Sequence, residues 1–213
     1  MSVTRSTKRV ADVPRWVLVP AMLTPLGMIG GWTLAAARQG ARFDPVRETI
    51  SALAAHAATA PGIMTAGLAI TGAGHLATAL ALRPAALPGR LLQATGGVAT
   101  LLVAAYPVDG DARAHGLAAT VAFVSLSLWP AAASRRGATG VLGRRTGGLA
   151  TAALLALLAW FGAQEYALAP DGGAVTGLAE RVLAGAQALW PLVVVLALLG
   201  RAASRNPVPP VSR

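Results

Sequence analysis

The stretch IMTAGLAITGAGHLATALAL, residues 63–82, runs for twenty residues without a Lys, Arg, Asp or Glu. At a helical rise of 1.5 Å per residue, a run of about 20 apolar residues is long enough to cross the hydrocarbon core of a bilayer. The whole chain has a matching composition, because 12% of its residues are charged, whereas a soluble domain carries about 25%. The stretch therefore predicts a transmembrane helix in a membrane protein.

Five further apolar runs of similar length predict an all-α, polytopic bundle of six transmembrane helices. The predicted spans are 16–36, 63–82, 91–108, 116–133, 148–167 and 182–200. The connections between them are short, so residues 16–200 are expected to form one domain. It would be flanked by a basic tail at 1–15 and by a tail at 201–213 whose composition predicts disorder. Glycines inside the spans, such as Gly67, Gly72 and Gly97, predict close packing of the helices.

The basic residues are distributed unevenly between the two sides that alternating spans would create. Thirteen of the eighteen Lys and Arg residues fall on the side of the two tails, whereas seven of the eight acids fall on the other side. By the positive-inside rule both termini are predicted to be cytoplasmic. The preference for Arg over Lys and the abundant Ala suggest high-GC coding, so a bacterial plasma membrane is the predicted location. The net charge of +10 is then a property of membrane topology. The expected partner is the lipid bilayer, and no nucleic-acid partner is expected.

The chain contains no cysteine, which excludes disulfides, thiolate metal sites and thiol nucleophiles. The predicted depth of His75 differs from that of His56 and His115, so a bis-histidine haem site is not expected. The residues show no metal-ligand spacing, and we predict no metal site. The sequence does not identify a cofactor.

The first predicted outer loop contains ARFDPVRETISALAAH, residues 41–56, which is unusually polar for a linker. Asp44 followed by Pro45 is typical of a helix start. The apolar residues that follow recur every three or four positions, which predicts a short amphipathic helix at the membrane interface. Its other face carries Arg47, Glu48 and Ser51. These side chains either form a solvated lid or point into a pocket.

The third loop reads YPVDGDARAHG, residues 106–116. Asp111 is predicted to cap the next helix. Asp109 and His115 have less obvious structural roles, and they could act as a general base with its orienting partner, exchange a proton, or hold a metal-bound water. Together with Ser51 they are the candidate catalytic residues.

Three charged residues near the outer ends of the last two spans complete the predicted site. A carboxylate inside a span is costly unless it faces a partner or water, which makes Glu165 a candidate. Glu180 and Arg181 lie near the start of the last span, and the arginine fork of Arg181 or Arg47 suits a phosphate or carboxylate group. We predict that Arg47, Glu48, Glu165, Glu180 and Arg181 bind a ligand.

Three segments give the chain a family resemblance, namely FDPVRETISALAA at 43–55, YPVDGDARAHG at 106–116 and GLAERV at 177–182. With its six predicted spans, the chain resembles the DUF998 family of uncharacterised integral membrane proteins from residue 16 to residue 200. Matching positions are Arg47, Ile50, Ser51, Pro107, Asp109, His115, Gly116, Glu180 and Arg181. Ala52 departs from the pattern, since the family often has an acid there. The resemblance implies a six-span fold and a shared site on the outer face, and it implies no particular reaction.

Three functions fit these residues. The first is an outward-facing polar site that binds or processes a lipid or a small anionic ligand. The second is a small-solute or proton-coupled transporter using Glu165 and His75, although the predicted cytoplasmic half is largely apolar. The third is a non-catalytic membrane scaffold or regulator whose outer motifs only brace the loops.

Overall fold

The computed structural model describes residues 13–41 and 43–205, and within these residues the regular structure is entirely helical. The helices are α1 (Arg15–Ala36), α2 (Ile50–Leu53), α3 (Gly62–Ala81), α4 (Leu87–Ala105), α5 (Ala112–Ala132), α6 (Arg144–Glu165) and α7 (Thr176–Arg205). The all-α prediction is confirmed. Most of the predicted tails at 1–15 and 201–213 lie outside the described residues and stay predictions, while α7 continues to Arg205.

Five helices are long and apolar enough to cross a membrane. They are Arg15–Ala36, Gly62–Ala81, Ala112–Ala132, Arg144–Glu165 and Thr176–Ala202. Helix α4 forms where the third span was predicted, but it is not one of these five. It has 19 residues, and Arg90 and Gln93 lie within it. By length and composition the chain is therefore a multi-pass membrane protein with five candidate spans and one short helix in the first loop.

Glycines bring α3 and α4 into close contact, as the small residues in these spans predict. A Cβ atom on Gly72 would lie 2.7 Å from the carbonyl oxygen of Gly97, and one on Gly97 would lie 2.8 Å from that of Gly72. Further along, the Arg90 Nε donates to the Ala79 carbonyl at 2.9 Å. From the first contact to the second, the residue number rises along α3, from 72 to 79, and falls along α4, from 97 to 90. The two helices are therefore antiparallel.

The loops gather at two ends of the bundle. The first-loop end contains residues 37–41, 43–61, 106–111 and 166–175, and the second-loop end contains residues 82–86 and 133–143. The second-loop end is packed with a buried apolar cluster that includes Val17, Leu82, Trp129 and Val195. The polar residues predicted to form a site all belong to the first-loop end.

The first loop does not form one amphipathic helix starting at Asp44, so that prediction is wrong in its extent. Asp44 caps a single turn, in which its side chain accepts the Val46 N–H at 2.9 Å. The chain is extended at Thr49 (φ −70°, ψ 163°), which caps α2, the single helical turn at Ile50–Leu53. Helix α7 explains the break, because it binds the loop carbonyls that a continuous helix would need for its own hydrogen bonds.

Candidate functional site

The turn at residues 44–48 lies across the start of α7. The N–H groups of Gly177 and Leu178 donate to the carbonyls of Arg47 and Val46 at 3.2 and 2.9 Å. The first N–H groups of a helix have no partner within the helix, so the loop supplies the missing acceptors. Gly177 permits this approach, because a Cβ atom there would collide with the carbonyl oxygen of Glu48.

Two charged side chains of α7 hold the same loop. The Arg181 Nη1 donates to the carbonyls of Pro45 at 2.8 Å and of Glu48 at 2.7 Å. Its guanidinium also lies 5.9 Å from the centre of the Phe43 ring, a cation–π distance. The buried carboxylate of Glu180 accepts the N–H of Ile50, the first residue of α2. These contacts fix the position of α2 on the bundle.

Ser51, in α2, meets His115 of α5. The His115 Nε2 lies 2.9 Å from the Ser51 Oγ, and its Nδ1 lies 2.7 Å from the carbonyl oxygen of Tyr106. A carbonyl can only accept, so Nδ1 carries the proton and Nε2 of the neutral ring is left as an acceptor for the serine hydroxyl. The His115 ring is buried and Ser51 is half-buried. The arrangement pairs a hydroxyl with an oriented base.

Asp109 belongs to a different group. Its carboxylate accepts the N–H groups of His56 at 2.9 Å and Ala57 at 3.0 Å, and it lies 3.1 Å from the His56 Nδ1. The hydrogen bond from the His56 backbone holds the pKa of Asp109 below its ordinary value. Asp109 thus braces the first loop against the third. The hydrogen bond to His115 that was predicted for Asp109 is made instead by the Tyr106 carbonyl.

A pocket of about 380 Å³ opens beside the Ser51–His115 pair, and we call it the dyad pocket. Its walls combine apolar side chains from α5 and α6 with polar groups from the first loop, α5, α6 and α7. The apolar group includes Phe123, Val124, Leu158 and Phe161, and the polar group includes Thr49, Ser51, His115, Thr120, Glu165 and Glu180. Phe123 and Phe161 meet edge to face, with ring centres 5.4 Å apart. The pocket has the mixed lining that suits an amphipathic molecule.

The structure brings together half of the eight residues predicted for the site. Ser51, His115, Glu165 and Glu180 line the dyad pocket. The other four lie elsewhere, and each has a structural contact.

Of these four, Arg47 is exposed and pairs with Asp44 at 3.5 Å, whereas the Glu48 carboxylate accepts the Asp44 N–H at 2.9 Å. Arg181 and Asp109 hold the loops as described above.

Sequence reasoning missed two contributors to this arrangement. The Tyr106 carbonyl orients His115, and a backbone group gives no residue-type signal that could reveal it. Gly177 contributed to the prediction only as part of the family motif GLAERV. A glycine in the first turn of a helix can also indicate that another backbone packs closely against that turn.

The helical bundle and the polar groups at its first-loop end define a class of protein. It is a multi-pass membrane protein with polar groups gathered under a braced loop. The chain belongs to the DUF998 family, proteins of unknown function, whose family model matches residues 22–197. The predicted resemblance is thereby confirmed. No curated protein and no solved structure matches the chain.

Proposed function

We propose that the protein is a membrane-embedded serine-type acyl-transfer enzyme that acts on an amphipathic ester or related acyl compound. The observation that carries this proposal is the 2.9 Å contact between the Ser51 Oγ and the His115 Nε2, with Nδ1 held by the Tyr106 carbonyl. A nucleophile, a base and a group that orients the base are the three parts of activated-serine chemistry.

The reaction would use these groups in a defined order. The Ser51 Oγ adds to the acyl carbonyl, and its proton moves to the His115 Nε2. The imidazolium keeps its Nδ1–H bond to the Tyr106 carbonyl and then gives the Nε2 proton to the leaving alcohol, which departs with the old ester oxygen. The acyl group remains on Ser51 until water or a second alcohol takes it.

The charges around the dyad pocket favour a neutral or cationic ligand. Glu165 and Glu180 contribute two carboxyl groups, and none of the described residues that line the pocket is Lys or Arg. Arg181 is engaged with loop carbonyls and Arg47 with Asp44. A phosphate or free carboxylate would meet no cation there, so we revise the predicted anionic ligand to an uncharged or cationic amphiphile.

A long-chain alkyl fluorophosphonate tests the proposal directly, because it is an uncharged amphiphile that reacts with activated serines. The purified protein should be labelled at Ser51, located by peptide mass spectrometry. His115→Ala should slow labelling about 10²–10⁴-fold, the usual contribution of a general base. Thr120→Ala is the matched control, since this hydroxyl lines the same pocket but donates to the Gly116 carbonyl at 2.8 Å. Labelling that survives Ser51→Ala unchanged would overturn the proposal.

We also propose that α4 crosses the membrane, which gives six spans with both termini cytoplasmic in a bacterial plasma membrane. The support is packing: α4 runs antiparallel to α3 along its length, and Ala86 at its start donates to the Ala133 carbonyl at the end of α5. Because the natural chain has no cysteine, single cysteines at Ala57 and Arg136 can report topology. An impermeant maleimide added to intact spheroplasts should label the first and spare the second. Equal labelling would contradict this topology.

The transporter alternative has less support. The second-loop end is packed with the buried apolar cluster around Leu82 and Trp129, which blocks a path through the middle of the bundle there. The scaffold alternative predicts that Ser51→Ala changes neither fluorophosphonate labelling nor any acyl-transfer activity, so the labelling experiment separates it from our proposal.

A further inference from the structure

A second cavity lies deeper in the bundle, on the inner side of the dyad pocket. Its volume is about 40 Å³, and we call it the inner chamber. Ser51, Glu180, Ala119 and Phe123 line both spaces, so these four residues form the wall between them. From that wall the inner chamber extends to His75 in the middle of α3.

His75 is the unusual feature of the inner chamber. Its side chain is completely buried, and among the described residues neither Nδ1 nor Nε2 has a hydrogen-bond partner. Buried polar groups in proteins are almost always satisfied by protein or by ordered water, and an imidazole without either loses its hydrogen bonds on burial. A partner outside the protein chain is therefore expected beside this ring.

We infer that the inner chamber is a water-binding site, in which ordered water bonds to His75 and reaches the wall at Ser51. A single water needs about 10–15 Å³ of such space, so about 40 Å³ accommodates two to four. Water also needs polar partners, and the lining supplies the side chains of Thr100 and Gln187 besides that of His75. The Gln187 amide nitrogen already donates to the Phe123 carbonyl and the Ser127 hydroxyl, which leaves its carbonyl oxygen available to accept from water.

The inner chamber would give the site its second reactant, an inference that rests on the proposed acyl transfer. Water entering from this side meets the acyl group on Ser51. Its oxygen bonds to the acyl carbon, one proton passes to the His115 Nε2 and then to the Ser51 Oγ as the ester bond breaks, and a carboxylic acid leaves. The apolar wall of the dyad pocket would thus hold the acyl chain while water arrives from the protein interior.

Hydroxyl-radical labelling by X-ray radiolysis tests for this water without using activity, because radicals formed from bound water oxidise the side chains beside it. Met28 lines the inner chamber and Met64 does not, and both are buried, with 8% and 0% exposure. Met28 should form sulfoxide several-fold faster than Met64. Equal, slow oxidation of both would show that the inner chamber is dry and would overturn the inference.

A pair of valine variants locates the water. Ala122 lines the inner chamber, so Ala122→Val should displace water and lower Met28 oxidation several-fold, whereas Ala105→Val, on an exposed surface of α4, should leave it unchanged. Unchanged Met28 oxidation in Ala122→Val would also overturn the inference. Fluorophosphonate labelling of Ser51 is measured separately, so a dry inner chamber with a reactive Ser51 would leave the proposed function standing, and the reverse result would leave the water site standing.

Discussion

Replacing Gly177 by alanine should loosen the first loop from α7, and the size of the effect can be worked out from the contacts. The added Cβ would lie 2.8 Å from the Pro45 carbonyl oxygen, whereas ordinary contact begins near 3.4 Å, so the loop must retreat by at least about 0.6 Å. The same shift takes the bond between the Gly177 N–H and the Arg47 carbonyl, now 3.2 Å, beyond hydrogen-bonding distance.

The cost follows from what this shift breaks. One backbone hydrogen bond contributes about 0.5–1.5 kcal/mol, and the charge-assisted bonds of Arg181 contribute about 1.5–3 kcal/mol when their geometry is good. Alanine recovers about 0.5–1 kcal/mol, because it is a better helix residue than glycine. We expect a net loss of about 1–3 kcal/mol in the free energy of unfolding. Ser51 moves with the loop, so its fluorophosphonate labelling should slow about tenfold or more, as small misplacements of reacting groups do.

The assay is unfolding in mixed micelles of increasing SDS content, followed by tryptophan fluorescence. Gly148→Ala is the matched control, since this glycine of α6 has open space where the Cβ would stand. The control should be neutral or slightly stabilising. If Gly177→Ala matched Gly148→Ala within about 0.5 kcal/mol, the usual limit for surface substitutions, the reasoning about the loop contact would be refuted.

Three further predictions use the same protein. Leu53→Ala removes a side chain with no exposed surface, and we expect SDS unfolding to report a loss of about 2–5 kcal/mol. Gly97→Ala forces a Cβ against the Gly72 carbonyl at 2.8 Å, and the same assay should report a loss of about 1–3 kcal/mol. The backbone N–H of His56 donates to Asp109 and lowers the pKa of that carboxyl group. The ionised carboxylate should therefore stabilise the fold above the ordinary pKa of 3.8, and this stabilisation should be lost as the pH falls through the lower pKa of the folded state. Unfolding measured between pH 2 and pH 7 should therefore show a shallower pH dependence for Asp109→Asn.

Each of these predictions has a comparison within the chain. Leu149→Ala removes a leucine that is 64% exposed, and it should change stability little. Gly148→Ala is again the control for Gly97→Ala. If the two variants were equally stable, the close contact of α3 and α4 would be contradicted. For the pH prediction the comparison is the natural protein, unfolded under the same conditions. A pH profile as steep in Asp109→Asn as in the natural protein would argue against a role of Asp109.

Local sequence patterns were sufficient to predict the helices, because the length of an uncharged run decides whether a helix can form there. Long uncharged runs predicted the helices, and the third was predicted correctly as a helix although Arg90 and Gln93 keep α4 outside the set of five. The segment starting at Asp44 is the clearest failure. Asp44 and Pro45 are good signals for a helix start, but the loop carbonyls bond to α7 and the helix is limited to one turn.

The sequence by itself determined that this protein is a helical membrane protein of the DUF998 family, and it identified Ser51 and His115 as candidates, because apolar run length and motif residues are local properties. Only the tertiary structure decided which candidates meet. Ser51 and His115 are 64 positions apart and come together because Glu180 and Arg181 hold the first loop on α7. Asp109 was predicted as a possible partner of His115, but it bonds to His56, 53 positions away. Hydrogen bonds depend on distances in space, and a single sequence does not specify those distances.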